Sequence, residues 1–283
     1  MTRIWAKSAV IALLALAACS LAVQKASAQA PKLVLVAASN FAAPEVSFEA
    51  SAMGTATRMP ELVPTPAELP RMAPELALTT FEQRAQQQLD GIPSYSATTV
   101  IAVDLTDSRQ HGVFELRRGF SAPHTLHFTP VQYTGDGFVK SNVITRLLQQ
   151  EVSQTEKGDS AKVALDQQNY KFTFKGEISS GGRAVYVYQV KPRAKLVGLF
   201  KGHIYLDSRS GALCRAEGEL VKSPSFFVKK IKFTSDFAEV NGFSLPVHIH
   251  SDADVRIIGH AKVDISNANY SFAEPGTTLA ARR

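Results

Sequence analysis

The sequence predicts a mainly β (α+β) chain with antiparallel strands, on three observations. From about residue 94 to 272, apolar residues recur at every second position in run after run. Gly, Asn, Asp and Ser break these runs at intervals of roughly 8–14 residues, the spacing of a meander that curls into a sandwich or barrel. Only two stretches carry helical spacing, too few for alternating β-α-β units.

The first helix follows Thr80, which with Gln83 makes a capping-box pattern. Phe81, Ala85 and Leu89 form its apolar stripe, and Gly91 and Pro93 stop it. Strand-like runs follow at Thr98–Leu105, Val113–Phe120 and Thr125–Tyr133. The second helix covers about Ser141–Ser153, with Val143, Ile144, Leu147 and Leu148 on one face and Gln149, Gln150 and Glu151 elsewhere. Tyr170, Phe172 and Phe174 alternate with polar residues, and Val185–Val190, Phe200–Asp207, Leu213–Leu220, Phe226–Val240 and Phe243–Ile249 are the next runs. Asn241-Gly242 is a two-residue hairpin signal. Val255, Ile257, Ala261, Val263 and Ile265, with Tyr270 and Phe272, close the series.

Ahead of this body the chain reads differently. Arg3 and Lys7 precede the apolar run Ala9–Ala18, and Ala26-Ser27-Ala28 ends the segment. A positive start, a short apolar stretch and an A-x-A site read as a signal peptide over 1–28, with cleavage after Ala28. Leu16-Ala17-Ala18-Cys19 resembles a lipobox, so lipidation at Cys19 is the alternative. Residues 29–75 read as a Pro/Ala-rich arm or linker, because seven of the 14 prolines fall between Pro31 and Pro74. The folded body is expected over 76–275, with a tail at 276–283. The expected location is the periplasm, or the outer membrane if Cys19 is lipidated.

Charge and cysteine content narrow the partners. The chain is +6, and loss of Arg3, Lys7 and Lys25 with residues 1–28 leaves +3. A basic exported body meets anionic headgroups and no nucleic acid. Cys19 and Cys214 are the two cysteines, so the processed chain has no intramolecular disulfide to rely on.

From Tyr170 to Phe272 the sequence resembles the LolA/LolB-like superfamily of outer membrane lipoprotein-sorting proteins, nearest to an uncharacterised acidobacterial-type group. The resemblance rests on Tyr186–Arg193, Phe200–Asp207, Arg215–Gly218, Pro224–Ile231 and Phe243–Pro246 taken in order. It implies an antiparallel open half-barrel with two or three short helices on an apolar concave face that holds acyl chains.

On that reading the chain is a binder or carrier of lipid, lipoprotein acyl chains or another apolar ligand. Phe172, Phe174, Tyr186, Tyr188, Ile204 and Leu206 are the cavity candidates, and Lys229, Lys230 and Lys232 the headgroup contacts. An envelope-sensing module that binds a protein, like the MucB/RseB type, is the alternative. A hydrolase with an unrecognised site comes third, because the sequence has no G-x-S-x-G, H-E-x-x-H or Gly-rich phosphate loop. No cofactor is expected. His248, His250, Asp252 and Asp254 have metal-ligand chemistry at period-two spacing. The apolar residues between them place all four on a solvent face, so no metal is assigned, and Ser251–Asp254 reads as a turn.

Overall fold

The computed structural model describes residues 70–122, 125–157, 163–180, 182–224, 226, 228–256 and 259–273. The signal peptide and lipidation readings, the arm up to residue 69 and the 276–283 tail lie outside them. The described residues form a ten-stranded antiparallel sheet in the order β3-β2-β1-β10-β9-β8-β7-β6-β5-β4. The first three strands are β1 (Tyr95–Leu105), β2 (Gln110–Ser121) and β3 (Thr125–Gly135). The second group is β4 (Tyr170–Ser180), β5 (Arg183–Pro192), β6 (Phe200–Asp207), β7 (Leu213–Leu220), β8 (Val228–Val240), β9 (Phe243–Val255) and β10 (Gly259–Phe272).

The topology is two meanders joined where β10 pairs with β1, from Tyr95↔Phe272 to Leu105↔Ala261. Strands β3 and β4 are the two edges, so the barrel stays open. The chain must therefore pass from one edge to the other between Gly135 and Tyr170. It does so through α2 (Gly137–Val139), a π-helical turn (Lys140–Ile144) and α3 (Thr145–Lys157). Val139, Val143, Ile144, Leu147 and Leu148 are buried, as the helical spacing predicts for the last four.

The first helix, α1 (Pro74–Gly91), begins earlier than the capping pattern suggests. Pro74 sits in the first turn with Glu75, where its missing N–H costs nothing and an acidic side chain meets the helix dipole favourably. Thr80 lies nearly two turns inside the helix, and its hydroxyl reaches Met72 Sδ at 3.7 Å.

Away from the edge strands one face of the sheet is buried: Ile101 and Leu105 on β1, Phe114 and Leu116 on β2, Ile204 and Leu206 on β6, Ile231 and Phe233 on β8. With α1 and the α2–α3 segment this inner face makes the main core. Ile92, Tyr95, Phe120, Leu126 and Leu245 form a smaller, separate buried cluster. Strand β9 runs on through Ser251–Asp254, so that stretch is strand and not the expected turn. Its cross-strand partners on β8 and β10 hold it in register up to Val255.

Candidate functional site

The inner face holds two helical covers with a seam beside α1. At its N-terminal end α1 is tied to β5: the Tyr186 hydroxyl donates to Met72 O and the Tyr188 hydroxyl to Pro74 O, both at 2.6 Å. At its C-terminal end it grips the β8–β9 hairpin. Gln88 donates to Ser244 O at 3.1 Å and accepts from Ser244 N at 3.0 Å, copying a strand's pairing. Arg84 reaches Glu239 at 3.0 Å and Gly242 O at 3.2 Å. The helix thus spans the inner face on polar bonds at both ends and apolar contact between.

Beneath α1 lies a cavity of about 70 Å³. Phe81, Val163, Leu165, Tyr170, Phe200 and Phe237 supply most of its apolar wall. Glu82 and Asp166 stand at its polar margin. Burial raises the Glu82 pKa, the bond from Gln167 opposes the rise and the charge of Asp166 adds to it. Burial also raises the phenol of Tyr188, to about 12, with the charge of Glu75 adding to the effect, so it stays a donor across the physiological range.

The sequence-predicted cavity residues share this inner face but not one environment. Ile204 and Leu206 are fully buried in the core. Tyr186 and Tyr188 are buried under the start of α1, with their hydroxyls already engaged. Phe172 is half-buried against the core. Phe174, on edge strand β4, is 43% exposed and packs edge-on to Tyr186 at 5.8 Å and tilted to Tyr188 at 5.5 Å. None of the six lines the 70 Å³ cavity, whose walls come from other residues.

Sequence reasoning passed over a buried ion pair. Arg118 donates to Glu151 through Nη1 at 2.5 Å and Nη2 at 3.0 Å, fastening α3 to β2. Arg118 is 8% and Glu151 2% exposed. The signal was present. Arg118 occupies the inward register of Phe114, Leu116 and Phe120, and Glu151 follows Leu147 and Leu148 at helical spacing. The Glu151 side chain therefore shares the buried face, against the sequence expectation.

On the outer face the His and Asp residues form a continuous ladder. His250 Nδ1 lies 2.7 Å from Asp264 and its Nε2 3.3 Å from Asp252. His260 lies 3.1 Å from Asp252 and 3.3 Å from Asp254. His248 lies 3.6 Å from Asp264 and 3.9 Å from Asp236, and Asp236 accepts from Arg215 at 2.6 Å. A second row alternates in sign across five strands: Lys201, Glu219, Lys232, Asp252, Lys262. Lys229 and Lys230 are exposed on the same strand as Lys232, and Lys230 pairs with Glu219 at 3.2 Å. Among the described residues, no three His, Cys, Asp or Glu side chains are arranged to hold a metal ion.

The ladder gives a signed pH dependence. Hydrogen bonding to Asp264 raises the His250 pKa above its usual 6.5, against a smaller lowering by burial. Burial alone would raise Asp252, but its bonds with His250 and His260 outweigh this and lower it below 3.8. The His250 contribution is complete below about pH 6.5 and fades as pH rises through its elevated folded value. The Asp252 contribution is complete above about pH 3.8 and fades as pH falls through its depressed one. Both act together between those values. The urea midpoint of the wild type is therefore expected to fall from pH 5.5 to pH 8, and His250→Asn to flatten that fall. An unchanged slope in the variant would show that the ladder is not its source.

Comparison with known proteins returns the same β-rich stretch. Residues 164–271, which span β4 to β10, match the model of a family of unknown function (DUF5686). No curated protein matches the chain in sequence. Among solved structures it is similar to a LolA superfamily protein from Nitrosomonas europaea. That match has 9% identity and a TM-score of 0.40, covering 70% of this chain and 94% of that one. It is also similar to an outer membrane lipoprotein-sorting protein domain from Vibrio parahaemolyticus, with 10% identity, a TM-score of 0.40 and coverage of 72% and 95%. A DUF1329 family protein from Desulfovibrio piger matches with 12% identity, a TM-score of 0.39 and coverage of 73% and 95%. Among the described residues, no helix is long and apolar enough to cross a membrane.

Proposed function

We propose that the chain binds an acyl chain or a similar apolar ligand on its inner face, in the cell envelope, with α1 as a cover that lifts. The observation that supports this is the seam: apolar rings meet at a cavity closed by a helix held through polar bonds at its two ends. A cavity of about 70 Å³ is too small for a long acyl chain, since ligand sites run to roughly 300–1,000 Å³. Uptake therefore requires α1 to move, and the ligand replaces its apolar contacts with the sheet. Burial of apolar ligand surface, at roughly 25 cal/mol per Å², supplies the driving force. Rings and aliphatic groups dominate the seam, which favours binding, and Glu82 and Asp166 stand only at its polar margin.

Titration of the full chain with a fluorescent long-chain fatty acid tests the reading, with fatty-acid-free buffer and circular dichroism as controls. Saturable uptake that persists at high salt is expected, since the main term is not electrostatic. Tyr186→Phe and Tyr188→Phe each remove one bond to the start of α1, worth about 1 kcal/mol. The double variant should take up the probe faster while staying folded. A folded wild type that takes up no fatty acid, phospholipid or lipopeptide sinks the proposal.

A second reading has one observation in its favour. Strand β4 pairs only with β5 among the described residues and exposes most of Thr173–Ser180. An envelope protein could add a strand to that edge, as peptides do to open sheets. Loss of partner capture on Thr173→Pro, with fatty-acid uptake kept, would favour this reading.

A further inference from the structure

The two ends of the half-barrel differ in chemistry. At one end the strands join through polar turns: Ser208–Gly211 between β6 and β7, and Asn241-Gly242 between β8 and β9. At the other end the β5–β6 and β7–β8 loops lie side by side, joined by the bond from Val221 N to Leu199 O at 3.0 Å. This end exposes Leu196 and Val197, and Phe226 at 73% exposure. The Arg256 guanidinium, where β9 ends, lies 4.2 Å from the Phe226 ring centre. Beside these loops a groove of about 550 Å³ is lined by Lys191, Arg193, Lys195 and Lys201, and among the described residues no carboxylate forms its walls. Outside the groove walls, Glu219 lies 3.8 Å from Lys201 and 3.2 Å from Lys230. Lys222 and Lys229 add further exposed positive charge.

We propose that this loop end docks on an anionic lipid bilayer. Leu196, Val197 and Phe226 enter the interface, and the groove cations meet the phosphate-bearing headgroups. Charge complementarity selects the occupant. An acidic peptide would answer the cations and leave the aromatic ring in water, and an apolar partner would leave the cations unanswered. A bilayer presents phosphate first and hydrocarbon a few ångströms deeper, which matches both sets in one orientation. The docking does not depend on the seam beneath α1. Fatty-acid uptake is read in a separate measurement, so failure of either leaves the other standing.

The test uses the full chain carrying Trp5→Phe and Phe226→Trp, because Trp5 is the only natural tryptophan. Vesicles of phosphatidylcholine alone are compared with vesicles holding equal phosphatidylcholine and phosphatidylglycerol. Emission from the new indole should shift to the blue, and be quenched by brominated acyl chains, on the anionic vesicles only. The shift should weaken as salt rises. Lys191→Gln with Lys195→Gln should lower partitioning roughly 25-fold, at about fivefold for each lost cation. Arg183→Gln, at the polar end, should leave it unchanged. An N-terminal tether would hold the protein on both vesicle types without shifting the emission, and that result overturns the proposal. Equal shifts on the two vesicle types overturn it too. So does tighter retention by soluble polyglutamate than by anionic vesicles, which would make an acidic peptide the partner.

Discussion

Glu151→Ala is expected to destabilise the fold by ~3–5 kcal/mol, read as a fall in the urea midpoint, because it strands the Arg118 guanidinium in the core. Burial alone would lower the Arg118 pKa, but the charge and hydrogen bonds of Glu151 more than offset this, so the group stays charged. Its Nε already lacks a hydrogen-bond partner among the described residues, and its guanidinium lies 5.1 Å from the Phe128 ring centre. Removing Glu151 takes away the two bonds that compensate its desolvation. The same carboxylate fastens α3 to β2, so α3 should also lose hydrogen-exchange protection. Arg118→Leu with Glu151→Leu should recover most of the loss, since apolar residues of similar volume replace buried pairs at little cost. Loss of less than about 1 kcal/mol in the single variant would show that the guanidinium finds water.

That pair marks where sequence reasoning reached and where it stopped. Period-two alternation placed Phe200–Asp207 and Leu213–Leu220 with the ends the structure has, because one face of each is buried and one wet. The same logic put His248, His250, Asp252 and Asp254 on the outer face, opposite buried Ile249, Ala253 and Val255. It read Ser251–Asp254 as a turn, because local composition carries no information about the β8 and β10 partners that keep it extended. It also began α1 too late, since a capping box is a local signal and Pro74 in the first turn is an equally good one. The walls of the seam were the least legible part. Phe81, Leu165, Phe200 and Phe237 come from four distant stretches, and only the tertiary path of the chain brings them together. The aromatic stripes were visible in sequence, but alternation alone cannot say which inward ring meets a helix and which meets open space.

Phe200 joins stability to function, and Phe200→Ala should separate the two. The ring is buried, meets Phe233 edge-on at 5.0 Å and lies 5.6 Å from Tyr170. Gly218 sits beneath it, where an added Cβ would come within 2.9 Å of the ring. Truncation forfeits these contacts and leaves a void, with a cost of ~3–5 kcal/mol. The Phe200 amide still donates to the Tyr170 hydroxyl at 3.3 Å, so the start of β6 keeps its anchor. The void opens into the seam cavity, which Phe200 lines, and apolar voids of this kind take up apolar guests. A medium-chain fatty acid at a hundred times its Kd would return ~2.7 kcal/mol by mass action. The variant should therefore regain much of its lost Tm in ligand, with a larger gain than the wild type shows. Leu245→Ala is the matched control. Leu245 is equally buried but belongs to the second cluster and does not line the seam cavity, and its truncation costs ~2–5 kcal/mol. Its side chain forms no wall of the seam cavity, so its Tm should not recover beyond the wild-type shift. Equal recovery of both variants would mean that the fatty acid acts on the protein at large, and the seam would lose its claim to be the binding site.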